Sequence, residues 1–244
     1  MGTGQQNAPL LFKMINKMNI FEKIRMLHNI YIKNNFFIKK KTYSMNGEDI
    51  FVNNYFKKKI GFYVDVGAYH PLELSNTYLL YKRGWNGINI DINPFSIDYF
   101  DYLRPEDVNI NIAVSNKNAI KTIYYQKSKS PLNTLKFKHA KKIFFGNFKK
   151  KKIKAEILTT IIDKTKFKGK KINFLNIDAE GNDFEILKNL NFIKYKPKLI
   201  CIELIDHFNP NKQIVKKNKI YKFLIQKKYK LVWSGHFSHI FESK

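Results

Sequence analysis

The chain has 244 residues, 44% of them hydrophobic, and a formal net charge of +26. That length and apolar content exclude a wholly disordered chain and provide a full core for one large α/β domain. A lone cysteine, Cys201, excludes a disulfide framework within the chain, which suits a reducing, cytoplasmic setting.

Residues 1–9 are polar. Residues 10–40 read as a basic helix: Ile20, Ile24, Leu27 and Tyr31 recur at helical spacing, with Lys17, Glu22, Lys23 and Arg25 between them. The expectation is a helix packed on the domain, with peripheral membrane contact or a homodimer contact as the weaker alternatives. No apolar run reaches membrane-spanning length, and the N-terminus lacks the apolar core of a signal peptide. Residues 44–49 then introduce a short helix over 50–56. Ser44 or Asn46 could cap it, and Glu48 and Asp49 suit the positive end of its dipole.

The run Phe62-Tyr63-Val64-Asp65-Val66 is apolar, aromatic and β-branched, and it stops at Gly67. It predicts a strand buried on both faces that ends in a tight turn. Gly67 allows a close backbone approach, and Asp65 stands just before the turn. Ligands in open α/β sheets bind beyond the carboxyl ends of the strands. A helix follows through residues 73–81. The next strand, 87–91, ends in Asp91. An acid there, roughly 20 residues past the glycine turn, commonly takes ribose hydroxyls. Asn93-Pro94 starts a helix through 102, 110–114 is a third strand, and 122–125 is a short fourth.

Residues 126–152 read as an irregular insertion, with a loop at 128–134 and a solvated lysine run at 149–152. The expectation is a mobile lysine-rich lid over a phosphorylated or nucleotide-linked acceptor. Beyond it come a strand at 153–158, a helix at 160–166, a buried strand at 172–178, a helix at 182–190, a buried strand at 198–204 and a helix at 213–227. Residues 229–233 and 237–241 form an antiparallel hairpin. Alternating β and α with a closing hairpin gives a mostly parallel sheet with helices on both faces. Cys201 falls within a buried run and is expected to be core.

A second set of acids repeats the first. Asp178 and Glu180 stand at the end of the strand at 172–178, two apart, and share a face if the strand persists. Glu203, Asp206 and His207 close the strand at 198–204. Four strand ends that present acids argue against a passive binding module.

The order of short motifs resembles one family. These are Ser44…Gly47-Glu48-Asp49, Val64-Asp65-Val66-Gly67-Ala68, Ser75-Asn76-Thr77, Gly84-Trp85-Asn86-Gly87-Ile88, Asp91…Pro94, Arg104-Pro105, Asn133-Thr134-Leu135 and Ile177-Asp178-Ala179-Glu180-Gly181. From about residue 43 to about 205 the chain resembles the FkbM family of S-adenosylmethionine-dependent methyltransferases, which have a Rossmann-like class I fold. The resemblance implies O-methylation of a hydroxyl on a sugar, a nucleotide-linked sugar or a natural product, such as a step in surface polysaccharide synthesis. It implies an N-terminal helical extension, 1–42, and a methyltransferase domain, 43–244.

Carried onto this sequence, Asp65, Gly67 and Ala68 would form the cofactor loop and Asp91 would hold the ribose. Ser75 and Asn76 would lie near the methionine end, Ile92 and Ala113 would flank the adenine, and Asp178 would face the methionine and the reacting centre. One glycine stands where methyltransferase loops often have three. Tyr69-His70-Pro71 takes the remaining space and brings Tyr69 and His70 toward the acceptor, with Asn133 and Glu203. Asp178, Glu180 and His207 are the candidate bases. A divalent ion on Asp178, Glu180 or Glu203 is the alternative, but no tight ligand cluster favours it, and no metal is expected.

The rivals are a dinucleotide oxidoreductase, which would want G-x-G-x-x-G after the first strand, and methyltransferases of RNA or of a small anionic metabolite, which the charge motivates. Nearly all of that charge is lysine, since Arg25, Arg83 and Arg104 are the only arginines. A dedicated nucleic-acid binder would use more arginine. Compositional bias over a solvated surface, with an anionic substrate contributing, is the preferred reading, and no specific nucleic-acid partner is expected.

Overall fold

The computed structural model describes residues 19–35, 40–126, 133–204 and 212–244. The fold is mixed α/β. In chain order the large sheet is built from β1 (Phe62–Val66), β2 (Asn86–Asp91), β3 (Val108–Asn111), β8 (Phe174–Ile177), β9 (Leu199–Glu203), β10 (Tyr229–Ser234) and β11 (Ser238–Ser243). Its spatial order is β10-β11-β9-β8-β1-β2-β3. Strands β3, β2, β1, β8 and β9 pair in parallel, while β11 pairs antiparallel with both β9 and β10. The sheet is therefore mixed, and the expected C-terminal hairpin forms its far edge.

Side chains alternate across this sheet, and both faces are covered. Val64, Val66, Ile88, Leu175 and Ile200 enter one core. Tyr63, Phe174, Leu199 and Cys201 enter the other, where burial pushes the Cys201 thiol well up. The first core is closed by α6 (Leu158–Asp163), α7 (Asp183–Lys188) and α9 (Lys219–Gln226). The second is closed by α2 (Glu48–Phe56) and α3 (Tyr78–Tyr81). Burying strands on both faces is what makes their sequences read as unbroken apolar runs.

Three expectations are corrected here. The single strand expected at 110–114 is two. Val108–Asn111 joins the large sheet, whereas β4 (Ala113–Val114) joins a second sheet with β5 (Ala119–Tyr125), β6 (Asn133–Thr134) and β7 (Lys149–Glu156), in the order β4-β7-β5-β6. The lysine run 149–152 is not lid: Lys149 to Lys152 pair antiparallel with Tyr125 to Thr122. Residues 137–143 of the expected insertion form α5 (Phe137–Ile143). Of the loop expected at 128–134, residues 127–132 lie outside the described residues.

The third correction concerns the N-terminal helix, α1 (Ile20–Leu27). Asn19 Oδ1 accepts from Glu22 N, and Asn19 N donates back to the Glu22 carboxylate, a capping box that starts the helix. A wider π-helical turn, His28–Lys33, extends it. The side chains packed on the domain are Met26 and Ile30, against Leu72. Of the expected stripe, Ile20, Ile24 and Leu27 face outward and are exposed, while Tyr31, also exposed, sets its ring edge-on against Tyr102 and its hydroxyl 3.3 Å from that of Tyr102. Residues 10–18 and 36–39 of the expected helix lie outside the described residues. Among the described residues no helix is long and apolar enough to cross a membrane.

Candidate functional site

The carboxyl ends of β1, β2, β8 and β9 open into one cavity of about 300 Å³. Asp65, Gly67, Asp91, Asp178 and Glu203 line it, so the acid-bearing strand tips do converge. Its apolar wall includes Val66, Ile90, Ile92, Ile112, Val114 and Leu135. Tyr69, Asn76, Asn133, Glu180 and Asn182 add polar groups. Among the described residues that line it, none is Lys, Arg or His.

Each acid is held differently. Asp65 is buried, and its carboxylate accepts from Thr77 Oγ1 at 2.7 Å and from Asn176 Nδ2 at 2.8 Å. Burial raises its pKa, while those two hydrogen bonds and the Arg104 charge pull it back. Arg104 is itself fully buried. It donates to Thr77 Oγ1 at 2.8 Å, to Ser75 Oγ at 2.7 Å and to the Pro71 carbonyl, among the rings of Tyr78, Tyr81 and Phe100. Asp91 accepts the Tyr69 N–H at 2.8 Å on one oxygen and the Asn93 N–H at 2.7 Å on the other. Its pKa rises to about 6, by burial above all, against those hydrogen bonds. Each carboxylate oxygen of Asp91 keeps lone-pair capacity for a further donor.

Asp178 and Glu180 differ from these. No hydrogen bond or ion pair to a described residue ends on either side chain. β8 stops at Ile177, so the two acids do not share a face by strand alternation. They reach the cavity through a turn in which Glu180 has φ +47° and Gly181 φ +84°. Asp183 builds that turn by accepting from Ala179 N at 2.7 Å and Gly181 N at 3.1 Å. Thr134 Oγ1 donates to the Glu180 carbonyl at 2.9 Å, His139 Nδ1–H does so at 2.7 Å, and Lys136 Nζ donates to the Gly181 carbonyl. The Asp178 pKa rises to about 7, from its depth in the protein and then from Asp183, Asp65 and Asp91. Its side chain is open to the cavity, so water there offsets part of the desolvation; the three carboxylates around it keep the direction upward. Glu180 rises to about 8 through burial, then Asp178 and Asp183.

Several expected contacts fall elsewhere. His70 is buried, with Nδ1 accepting from Leu72 N at 3.2 Å and Glu73 N at 3.0 Å, and Nε2–H donating to Asn29 Oδ1 at 3.0 Å. Both nitrogens are committed, so the ring holds the loop to the N-terminal helix and has no atom left for an acceptor. Burial lowers its pKa to about 3. Ser75 is buried behind the cavity on Arg104, and it caps the turn by accepting from Thr77 N and Tyr78 N. Ala113 is sealed in the sheet between Ile112 and Val114, which line the cavity in its place. Ala68 does not line the cavity; its N–H donates to the Ile90 carbonyl at 3.2 Å. Asp206 and His207 lie outside the described residues.

A family model described as the methyltransferase FkbM domain matches residues 65–231. The chain belongs to the FkbM methyltransferase family. A search of curated proteins finds no match. The FkbM match begins at Asp65 and spans the tips of β1, β2, β8 and β9, while Phe237 and Ser238, at the start of β11, line the cavity from beyond its end. Cavity residues before it are Met45 and Glu48, brought in by α2 and the segment ahead of it. Sequence reasoning missed Met45, Leu74, Asn176, Phe237 and the turn-holding His139, and it gave Glu48 only a dipole role. Leu74 reaches the wall at φ +57°, a conformation that no local spacing announces.

Proposed function

We propose that this FkbM protein is an S-adenosylmethionine-dependent O-methyltransferase of Rossmann-like class I architecture. It would act on a hydroxyl of a sugar or nucleotide-linked sugar, as in surface polysaccharide synthesis. The observation that carries the reading is the single cavity in which Gly67, Asp91, Asp178 and Glu180 meet, the last two side chains paired with no described residue. S-adenosylmethionine is a cation at its sulfonium and ammonium, and a cavity whose charged lining residues, among those described, are all acidic suits it. Asp91 retains acceptor capacity for ribose hydroxyls, and Ile92, Ile112 and Val114 offer an apolar surface for a base. The division into a 1–42 extension and a 43–244 catalytic domain, and a cytoplasmic location, are part of the same proposal.

When bound, the cofactor supplies an activated methyl group, so the protein's tasks are alignment and proton removal. The reacting atoms must be held about 3–3.5 Å apart and nearly in line. Asp178 and Glu180, both shifted toward neutrality, are suited to accept the hydroxyl proton, because a general base works best with a pKa near the working pH. Glu203, Asn133 and Tyr69 line the same cavity and are proposed to bind the acceptor, with His207 kept as the competing base. The absence of Lys, Arg and His among the described lining residues favours an uncharged hydroxyl at the reacting end over a small anionic metabolite. Titration calorimetry with S-adenosylmethionine and with NAD tests the proposal. Heat with the first and none with the second is expected; the reverse would make the chain an oxidoreductase.

A further inference from the structure

Exposed apolar side chains are unremarked when they stand singly, as Phe145 and Ile193 do here. On α1 and the turn after it they are contiguous. Ile20, Phe21, Ile24 and Leu27 are 62%, 79%, 57% and 40% exposed, and Tyr31 and Ile32 follow at 48% and 68%. Ile20, Ile24 and Leu27 share one stripe at helical spacing, and Phe21 flanks it. The element's attachment to the domain uses its other side and its end, through Met26 and Ile30 on Leu72, Asn29 to His70 Nε2 and Tyr31 to Tyr102. The helix is therefore fixed in place, and Ile20, Phe21, Ile24 and Leu27 are left exposed among the described residues. A contiguous apolar patch rimmed by polar residues marks an interaction surface.

Charge selects the partner. Lys23, Arg25 and Lys33 lie along the element, and its acid, Glu22, is committed to the Asn19 N–H at 3.0 Å. The sequence just before it adds Lys13 and Lys17 in an apolar context. A second copy of a chain with net charge +26 would set like charge against like at this face. An anionic bilayer complements both features: its headgroups meet the cations, and its acyl boundary takes the stripe. We propose that residues 20–33 are a peripheral anchor that lies in the surface of an anionic membrane. Ile20, Phe21, Ile24 and Leu27 insert, while Arg25 and Lys33 meet lipid phosphates. Because Asn29 on the same element grips His70, the attachment is rigid and not a loose tether.

The test is co-sedimentation of the full chain with phosphatidylcholine vesicles, with and without phosphatidylglycerol, at physiological salt. The comparison is the double variant Phe21→Ser/Ile24→Ser, which leaves every charge in place. The wild type should pellet with the anionic vesicles. The variant's partition should fall about tenfold or more, as expected for losing two inserted apolar side chains. Its melting temperature and cofactor titration should match the wild type, since both positions are exposed. Three results would overturn the proposal. One is no pelleting of the wild type. Another is equal pelleting of the variant, which would assign binding to surface lysines at large. The third is a wild-type dimer in light scattering that the variant dissolves, which would make the face a contact between copies.

Discussion

Gly67 and Asp178 meet backbone to backbone: a Cβ added at Gly67 would lie 1.7 Å from the Asp178 carbonyl oxygen. Gly67 also has φ +76°. The contact joins three strand ends, because Asp178 N donates to the Val66 carbonyl and Gly67 N to the Ile90 carbonyl, each at 2.9 Å. Gly67→Ala is expected to cost roughly 2–4 kcal/mol, part left-handed strain and part forced separation of β1 from β8. Urea unfolding measures it. A loss under about 0.5 kcal/mol, the range of ordinary surface changes, would mean the strand tips are free to part.

Asp91 supports structure as well as the proposed ribose contact. Asp91→Ala should weaken S-adenosylmethionine binding by a factor on the order of 10–100, the value of hydrogen bonds to a charged group. It should also lower the melting temperature, because the Tyr69 and Asn93 N–H groups lose their acceptor. An unchanged dissociation constant in calorimetry removes Asp91 from the cofactor site, whatever happens to stability.

What the sequence made legible follows from burial. β1, β2, β8 and β9 are buried on both faces, and such strands write themselves as apolar runs ending at acids. The strand tips, and with them Asp65, Asp91, Asp178 and Glu203, were readable for that reason. What pairing decides was not readable. Lys149 to Lys152 look like a solvated loop until β5 fixes their register. The break at Ile112, which sends one half of an extended run to each sheet, has no local mark. The periodicity of Ile20, Ile24 and Leu27 announces an apolar face but not what that face meets. His139, which holds the Glu180 carbonyl from a distant helix, has no spacing signal at all.

The acid pair should make the ligand-free protein pH-sensitive. Asp178 and Glu180 have folded pKa values of about 7 and about 8, above their ordinary carboxylate values. A raised folded pKa means that the folded state holds the proton more tightly than the unfolded chain. Its contribution is fully present below the unfolded pKa and is lost as pH rises through the folded pKa. Stability should therefore decline from about pH 4, the ordinary carboxylate range, to about pH 8. Asp178→Asn and Glu180→Gln should each raise the melting temperature at pH 8 and change it little below about pH 4. A pH-independent difference between variant and wild type would show that the carboxylates are not strained by ionisation.

The same pair decides the chemistry. Asp178→Asn keeps the side-chain shape and removes the charge. If Asp178 takes the hydroxyl proton, turnover should fall about 10²–10⁴-fold with cofactor affinity altered much less. If it instead holds the methionine ammonium, affinity should fall along with turnover. Glu180→Gln distinguishes the two acids, because both have pKa values raised into the range of the rising limb of the rate profile, near pH 7 to 8. His207→Ala is the control on the rival base. A collapse in rate there, with a mild effect at Asp178, would move the base to His207. Dialysis against EDTA belongs in the same assay. Full activity is expected afterwards, because Asp178 and Glu180 are then bases and not ligands of a divalent ion. Loss of activity that added magnesium restores would instead give them to a metal that lowers the hydroxyl pKa.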